Sequence, residues 1–92
     1  GGMAFVYDPQ HEFESYVNPN SVVWQIPETN YWKSFLNNLV NQHFKETQSQ
    51  IAKTILKNFN NEVKNFKQVC PKEMLDKLVN PLLLKIKVSK AV

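Results

Sequence analysis

Apolar side chains recur twice at helical spacing after residue 30, and this periodicity constrains the fold more than any other feature. The first run comprises Tyr31, Trp32, Phe35, Leu36, Leu39, Val40 and Phe44. Positions spaced in this way form one apolar face of an amphipathic helix. Thr29 or Asn30 is a suitable N-cap, because a short polar side chain there accepts a backbone N–H bond. We therefore predict a helix over roughly residues 29–45.

A second run with the same spacing predicts a second helix over roughly residues 48–67. Its apolar positions are Ile51, Ala52, Ile55, Leu56, Phe59, Val63 and Phe66. Before it, Thr47-Gln48-Ser49-Gln50 matches a capping box, in which the Thr47 hydroxyl accepts from the Gln50 N–H and the Gln50 side chain reaches back. Because so few residues separate the two runs, we expect an antiparallel αα-hairpin.

A third, shorter helix is predicted over residues 71–79. Pro71 suits its first turn, where the missing N–H would be unpaired anyway, and Pro81 ends or kinks it. The apolar positions of this helix are Met74, Leu75, Leu78 and Val79. Beyond it, residues 84–90 alternate apolar and polar, which fits a strand, whereas Pro81 could begin a short helix. The sequence leaves these two alternatives open.

The first 27 residues have a different pattern. Aromatic and β-branched residues at 3–7 and at 21–26 predict two short strands. Asp8-Pro9 and Asn18-Pro19-Asn20 mark turns between them. This part holds too few apolar residues for a core of its own. We therefore predict a mainly α chain, with extended segments at 1–27 and a helical tail at 28–92.

Composition narrows the possible partners. The chain of 92 residues is one small domain with a net charge of +3, and all 11 of its cationic side chains are lysines. Arginine is the commonest specific contact to guanine, so we expect no nucleic-acid partner. No apolar run approaches the length of a membrane span and no signal peptide is visible, so we expect no membrane partner. The single cysteine suits a reducing cytoplasm.

No residues are spaced for catalysis or for metal binding. His11 and His43 lack a second ligand at metal spacing, and Cys70 has neither a second cysteine nor a base nearby. The two glycines stand at the N-terminus, so no phosphate-binding loop exists. We predict no catalytic, cofactor-binding or metal-binding residue. Trp24 is the better of the two tryptophans for contact with a partner, because Trp32 lies on the helical face.

Several short motifs occur in a fixed order along the chain. Residues 1–8 read Gly-Gly-Met-Ala-Phe-Val-Tyr-Asp, and Phe13 precedes Val17-Asn18-Pro19. Further on come His43, Thr47 and Ser49, then Ala52, Ile55 and Leu56, and finally Phe66, Val69, Pro71 and Lys72. In order and spacing these motifs resemble the C-terminal segment of glutamate synthase large subunits, over about residues 1–73. Residues 74–92 have no counterpart that we can name.

The resemblance implies a bacterial oxidoreductase that makes glutamate from glutamine and 2-oxoglutarate, with FMN and iron–sulfur clusters. It also implies that the N-terminal cysteine nucleophile, the FMN barrel and the cluster cysteines lie upstream of this segment. The chain would then be no enzyme on its own but a non-catalytic fragment or remnant, serving as a structural cap on the end of a β-helix. Its partner would be the rest of the large subunit.

Two local expectations accompany this resemblance. His43, Thr47 and Ser49 would form a structural corner between the first two helices, where Gln48 replaces the family's usual glycine. The strands at 3–7 and 21–26 would correspond to the last β-helix turn without its neighbours. We expect them to dimerise, to swap, or to lie against the helices. The alternative function is a stand-alone helical interaction module, in which Trp24 or the lysine-rich tail binds a partner, and a small enzyme is the weakest hypothesis.

Overall fold

A three-stranded antiparallel sheet joins the two parts of the chain in the computed structural model, which describes residues 3–78. Strand β1 runs Ala4–Tyr7, β2 runs Val22–Gln25 and β3 runs Phe66–Pro71. The strand order is β1-β3-β2, so β3 pairs with a strand on each side. Phe5 stands opposite Gln68 on one side of β3, and Gln25 stands opposite the same residue on the other.

Helix α1 runs Asn30–Thr47, close to the predicted range of 29–45. Thr29 is its N-cap, and the Thr29 hydroxyl accepts a 3.2 Å hydrogen bond from the backbone N–H of Trp32. Capping satisfies one of the donors that a helix start leaves unpaired. The sequence therefore indicates both the existence of this helix and the position of its start.

The predicted helix over 48–67 is wrong in its second half. Helix α2 runs Gln50–Lys57, and a four-residue helix, α3, spans Phe59–Glu62. The break falls at Asn58, whose backbone carbonyl accepts from the N–H groups of Asn61 and Glu62 while its side chain bonds to that of Asn61. Asparagine competes with helical backbone bonds in this way, so the chain turns there and begins a new helix.

The predicted third helix also differs from the observed structure. A 3₁₀ turn at Val63–Asn65 leads into β3, which ends at Pro71, so Pro71 is the last strand residue and not part of a helical first turn. A 3₁₀ helix then spans Lys72–Lys77. A proline is tolerated at this strand end, because the last strand residue need not donate a backbone N–H to the hydrogen-bond ladder. Residues 84–90, for which strand and helix were both open, lie outside the described residues.

Two clusters of apolar side chains form the core between the helices and one face of the sheet. In the first, Leu36 of α1 and Ile55 of α2 pack against Val63 and Phe66. In the second, Trp32 and Cys70 pack together, and they are covered by Met3, Phe5, Val23, Met74, Leu75 and Leu78. The mainly α class with short N-terminal strands is confirmed. Within residues 3–78, no helix is both long enough and apolar enough to cross a membrane.

Candidate functional site

The three residues predicted to form a corner lie at the junction of α1 and α2. The Thr47 hydroxyl donates to the His43 carbonyl over 2.8 Å and accepts from the Ser49 N–H over 3.2 Å. Ser49 Oγ accepts from the Ala52 N–H over 3.2 Å, which makes Ser49 the N-cap of α2. The predicted capping box centred on Thr47 is therefore wrong. His43 contributes its backbone carbonyl to the corner, and its side chain is exposed.

Gln48 closes α1 in the left-handed region. Its φ is 57° and its ψ is 30°, and its N–H donates to the Phe44 carbonyl over 2.7 Å. This conformation brings the Cβ of an L-residue close to a carbonyl oxygen and costs about 1 kcal/mol, which glycine avoids. The glycine that the resemblance places here therefore fits the geometry better than the glutamine does.

A buried carboxylate lies at the end of β1, and the sequence analysis did not single it out. Asp8 accepts the backbone N–H groups of Glu12 and Phe13 over 2.9 and 3.1 Å, and its Oδ2 lies 3.6 Å from Lys67 Nζ. Burial raises the pKa of Asp8, but the two N–H donors and the Lys67 ammonium outweigh it and hold the pKa below its ordinary value. Asp8 thus anchors the loop that follows β1.

Lys67 connects this carboxylate to His11. Lys67 Nζ lies 3.3 Å from His11 Nδ1, and the His11 backbone has a positive φ of 56°. Lys67 is buried although it is cationic, because β3 is the central strand and the loop after β1 folds over it. The sequence reading placed Lys67 in a helix, and for that reason it missed the cluster of Asp8, His11 and Lys67.

Trp24, the predicted partner contact, is half-buried on β2 opposite Val69. Its ring meets that of Phe13 edge-on, with centroids 5.9 Å apart. Directly paired strand residues point to the same face, so Trp24 and Val69 share the face away from buried Gln68 and Cys70. The loop after β1 already covers part of the Trp24 ring.

Helix α1 carries more apolar surface than the core uses. Trp32 and Leu36 are 7% and 2% exposed, and with half-buried Val40 we call them the inner column. Beside them run Tyr31, Phe35 and Leu39, which are 47%, 40% and 43% exposed and which we call the outer column. The sequence analysis assigned both columns to one apolar face. The sequence signal of the second column is the pairing of adjacent apolar residues at three successive turns.

Two apolar grooves flank the outer column. One, of about 440 Å³, lies between Leu39 and Ile51, and Leu36 and Ile55 form its floor. The other, of about 500 Å³, lies between Phe35 and Met74, and it is floored by Trp32 and Cys70. Phe5 and Leu39 line both grooves, so the two depressions belong to one surface. Ile51, at 62%, is exposed beside them.

Comparison with known protein families identifies the family of this chain. The model of the GXGXG motif family matches residues 1–72. The chain belongs to the GXGXG motif family. This GXGXG segment is 43% identical over 82 residues to "Glutamate synthase [NADPH] large chain" of Azospirillum brasilense. It is 34% identical over 73 residues to "Glutamate synthase [NADH]" of Schizosaccharomyces pombe. The resemblance to glutamate synthase large subunits is confirmed.

The matched segment is a small part of these relatives. The two matches cover 89% and 79% of this GXGXG chain but only 5% and 4% of the relatives' own lengths. Each relative therefore carries such a segment within a polypeptide about twenty times longer. The glutamate synthase activity in the names of these relatives is a property of each whole protein.

The GXGXG segment has no donor set for the iron–sulfur clusters that the resemblance implies for the parent enzyme. Such clusters are held by several cysteine thiolates, whereas this chain has one cysteine, Cys70. That thiol is buried beside Trp32, and burial raises its pKa, which disfavours the thiolate. Over residues 3–78, no group of three or more His, Cys, Asp or Glu side chains is placed to hold a metal ion.

Proposed function

We propose that this chain is a non-catalytic part of a glutamate synthase large chain and acts as a structural cap on its β-helix domain. The observation that carries this proposal is that the polar groups of the segment stabilise its fold. Asp8 and Lys67 pair beneath a loop, Thr47 and Ser49 bond to helix ends, and the Cys70 thiol is buried. Each of these groups is used to hold the fold, which leaves none of them positioned to react with a substrate.

The position of β1 supports the role of a cap. β1 is an edge strand, which pairs with β3 on one side and with no described strand on the other. By resemblance, β1 corresponds to a strand near the end of the β-helix. An unpaired strand edge offers backbone donors and acceptors to a further strand. On its other side the described sheet ends at β2, and the helices cover one of its faces.

Under this proposal, the parent activity belongs to the assembled enzyme. The conversion of glutamine and 2-oxoglutarate to glutamate, with FMN and iron–sulfur clusters, would require the remainder of the large chain. The reducing cytoplasm is the proposed location, since the one cysteine is buried and forms no disulfide.

Size-exclusion chromatography with light scattering tests the proposal. The purified chain would be run alone and then mixed with a glutamate synthase large chain from which the matching segment has been removed. We expect a stable one-to-one complex with the shortened large chain. Separate elution of the two polypeptides at micromolar concentration would contradict the role as a cap.

The second candidate function is a stand-alone interaction module that contacts a partner through Trp24. The remaining exposure of the Trp24 ring on the face away from the helices favours this candidate. Affinity capture with the chain and with Trp24→Ala separates the two functions. A defined partner other than the large chain, lost on Trp24→Ala, would favour the module. Self-pairing through the open edge of β1 stays a prediction, and light scattering of the chain alone checks it.

A further inference from the structure

The outer column and Ile51 form one apolar face, which we call the outer face. Its members are Tyr31, Phe35, Leu39 and Ile51, and all four are at least 40% exposed. Two grooves run along this face, and the buried residues Leu36 and Trp32 lie at their floors. Contiguous apolar surface of this kind, with concave parts, is typical of sites at which proteins bind one another.

Aromatic contacts hold the outer face rigid. The ring of Phe35 stacks on that of Phe5 with centroids 6.0 Å apart, and it meets Trp32 edge-on at 5.2 Å. Tyr31 also meets Trp32 edge-on, at 5.0 Å. Side chains that are already fixed lose little conformational entropy on binding, which favours affinity. Rigid aromatic anchors of this kind commonly dominate the binding energy of an interface.

The two ends of the described chain indicate what covers this face. Met3 and Leu78, the first and last described residues, both line the groove between Phe35 and Met74. The described chain therefore begins and ends beside the outer face. In its relatives this segment is about one-twentieth of the whole chain. Covalent attachment gives the remaining polypeptide a high effective concentration at this face, which a second copy lacks.

We infer that the outer face is the surface through which this segment docks on the rest of the glutamate synthase large chain. The inference rests on the proposed function and adds the identity of the interface. The occupant is an apolar surface of the same large chain, shaped to fill the groove between Leu39 and Ile51 and the groove beside Phe35. The inner column folds the segment, and the outer column binds it in place.

Three aspartate substitutions test this interface with the same introduced charge. Leu39→Asp and Ile51→Asp place a carboxylate on the outer face. Ile51 lies in the first turn of α2, where a carboxylate is favoured by the helix dipole, so that variant keeps its fold. Ser34→Asp is the matched control, because Ser34 is exposed on the far side of α1 beside Lys33 and Asn37. Far-UV circular dichroism would verify the helix content of each variant.

Binding of each variant to the shortened large chain gives the result. We expect Leu39→Asp and Ile51→Asp each to weaken the dissociation constant by about tenfold or more, as for residues at the centre of an interface. Ser34→Asp should bind like the parent chain. A complex that tolerates both outer-face variants would overturn the interface and leave the proposed function standing, whereas the lack of any complex with the parent chain would overturn both.

Two further outcomes assign the face to a different occupant. A chain that dimerises alone, and whose dimer is broken by Leu39→Asp and Ile51→Asp but not by Ser34→Asp, would overturn the inference in favour of a second copy. If the complex forms only after the chain is shortened to residues 1–78, residues 79–92 occupy the outer face, and the inference is overturned in their favour.

Discussion

The inner and outer columns of α1 have nearly the same chemistry and opposite surroundings. The inner column contains Trp32 and Leu36, and the sheet and α2 cover it. The outer column contains Tyr31, Phe35 and Leu39, and no described element covers it fully. Because the two columns are adjacent at every turn, hydrophobicity alone does not separate them. The difference comes from which column lies over β1 and β3.

This difference shows that a folded segment can leave part of its apolar surface exposed, where another protein surface can bind. The fold is complete with one column, since Leu36 already meets Ile55, Val63 and Phe66. The second apolar column is 40–47% exposed, so it buries a smaller fraction of its surface in the isolated segment than Trp32 and Leu36 do. Under the docking inferred above, the rest of the large chain covers this second column.

The largest effect is expected from truncating the two leucines, one from each column. Leu36→Ala should lower the free energy of unfolding by about 2–5 kcal/mol, because it removes a buried side chain and leaves a cavity. Leu39→Ala should lower it by much less, by about 1 kcal/mol, because 43% of Leu39 is already exposed to water. Urea denaturation followed by circular dichroism measures both. Equal losses would break the distinction between the columns.

A smaller effect, this time a gain in stability, is expected at the corner between α1 and α2. Gln48→Gly should raise the free energy of unfolding by about 1 kcal/mol, because glycine adopts a φ of 57° without strain. Gln48→Ala is the matched control and should give no gain, since alanine keeps the Cβ. The same denaturation assay applies to both variants. A similar response to glycine and alanine would show that the backbone at residue 48 is unstrained.

The smallest effect depends on pH and concerns the sheet beneath the inner column. The pKa of Asp8 is lower in the fold than its ordinary value, so ionised Asp8 stabilises the fold above about pH 4. That contribution is lost as the pH falls through the folded-state pKa. The Tm of Asp8→Asn should therefore lie below that of the parent chain at neutral pH, with a gap that narrows below about pH 4.

Thermal unfolding at a series of pH values measures that gap. Glu14→Gln is the control, because Glu14 is an exposed carboxylate on the same loop. We expect it to leave the Tm close to that of the parent chain across the series. A gap for Asp8→Asn that stays constant between pH 7 and pH 3 would mean that its charge does not hold the loop.

Local sequence predicts the local parts of this fold and fails where the partner is remote. The period of α1 and the Thr29 cap are local, so the range of α1 could be predicted closely. The predicted helix over 48–67 runs into the start of β3, because Phe66 continues the helical spacing of Phe59 and Val63. Lys67 and Gln68 are polar, and they are buried only because β1 and β2 pair on either side. Such pairing depends on residues about 45 to 65 positions away, and it outweighs local propensity.

The candidate site has the same limit. Spacing predicts that α1 is apolar along one side, but it does not tell which column will meet Phe5 of β1 or Ile55 of α2. The resemblance singles out Thr47 and Ser49, but the predicted bond from the Gln50 N–H to Thr47 is wrong, and Ser49 accepts from the Ala52 N–H instead. Two hydroxyls two residues apart can each begin a helix. The left-handed Gln48 between them decides that the second hydroxyl is the cap.

Hydroxyl-radical footprinting tests the central claim, that the outer column is covered on assembly, because it reports the solvent exposure of individual side chains. The chain would be oxidised alone and in complex with the shortened large chain, and the modification of Tyr31, Phe35 and Tyr16 compared. We predict that oxidation of Tyr31 and Phe35 falls several-fold in the complex, while Tyr16, which is 74% exposed and lines neither groove, stays unchanged. Equal oxidation of Tyr31 and Phe35 in both states would contradict the account.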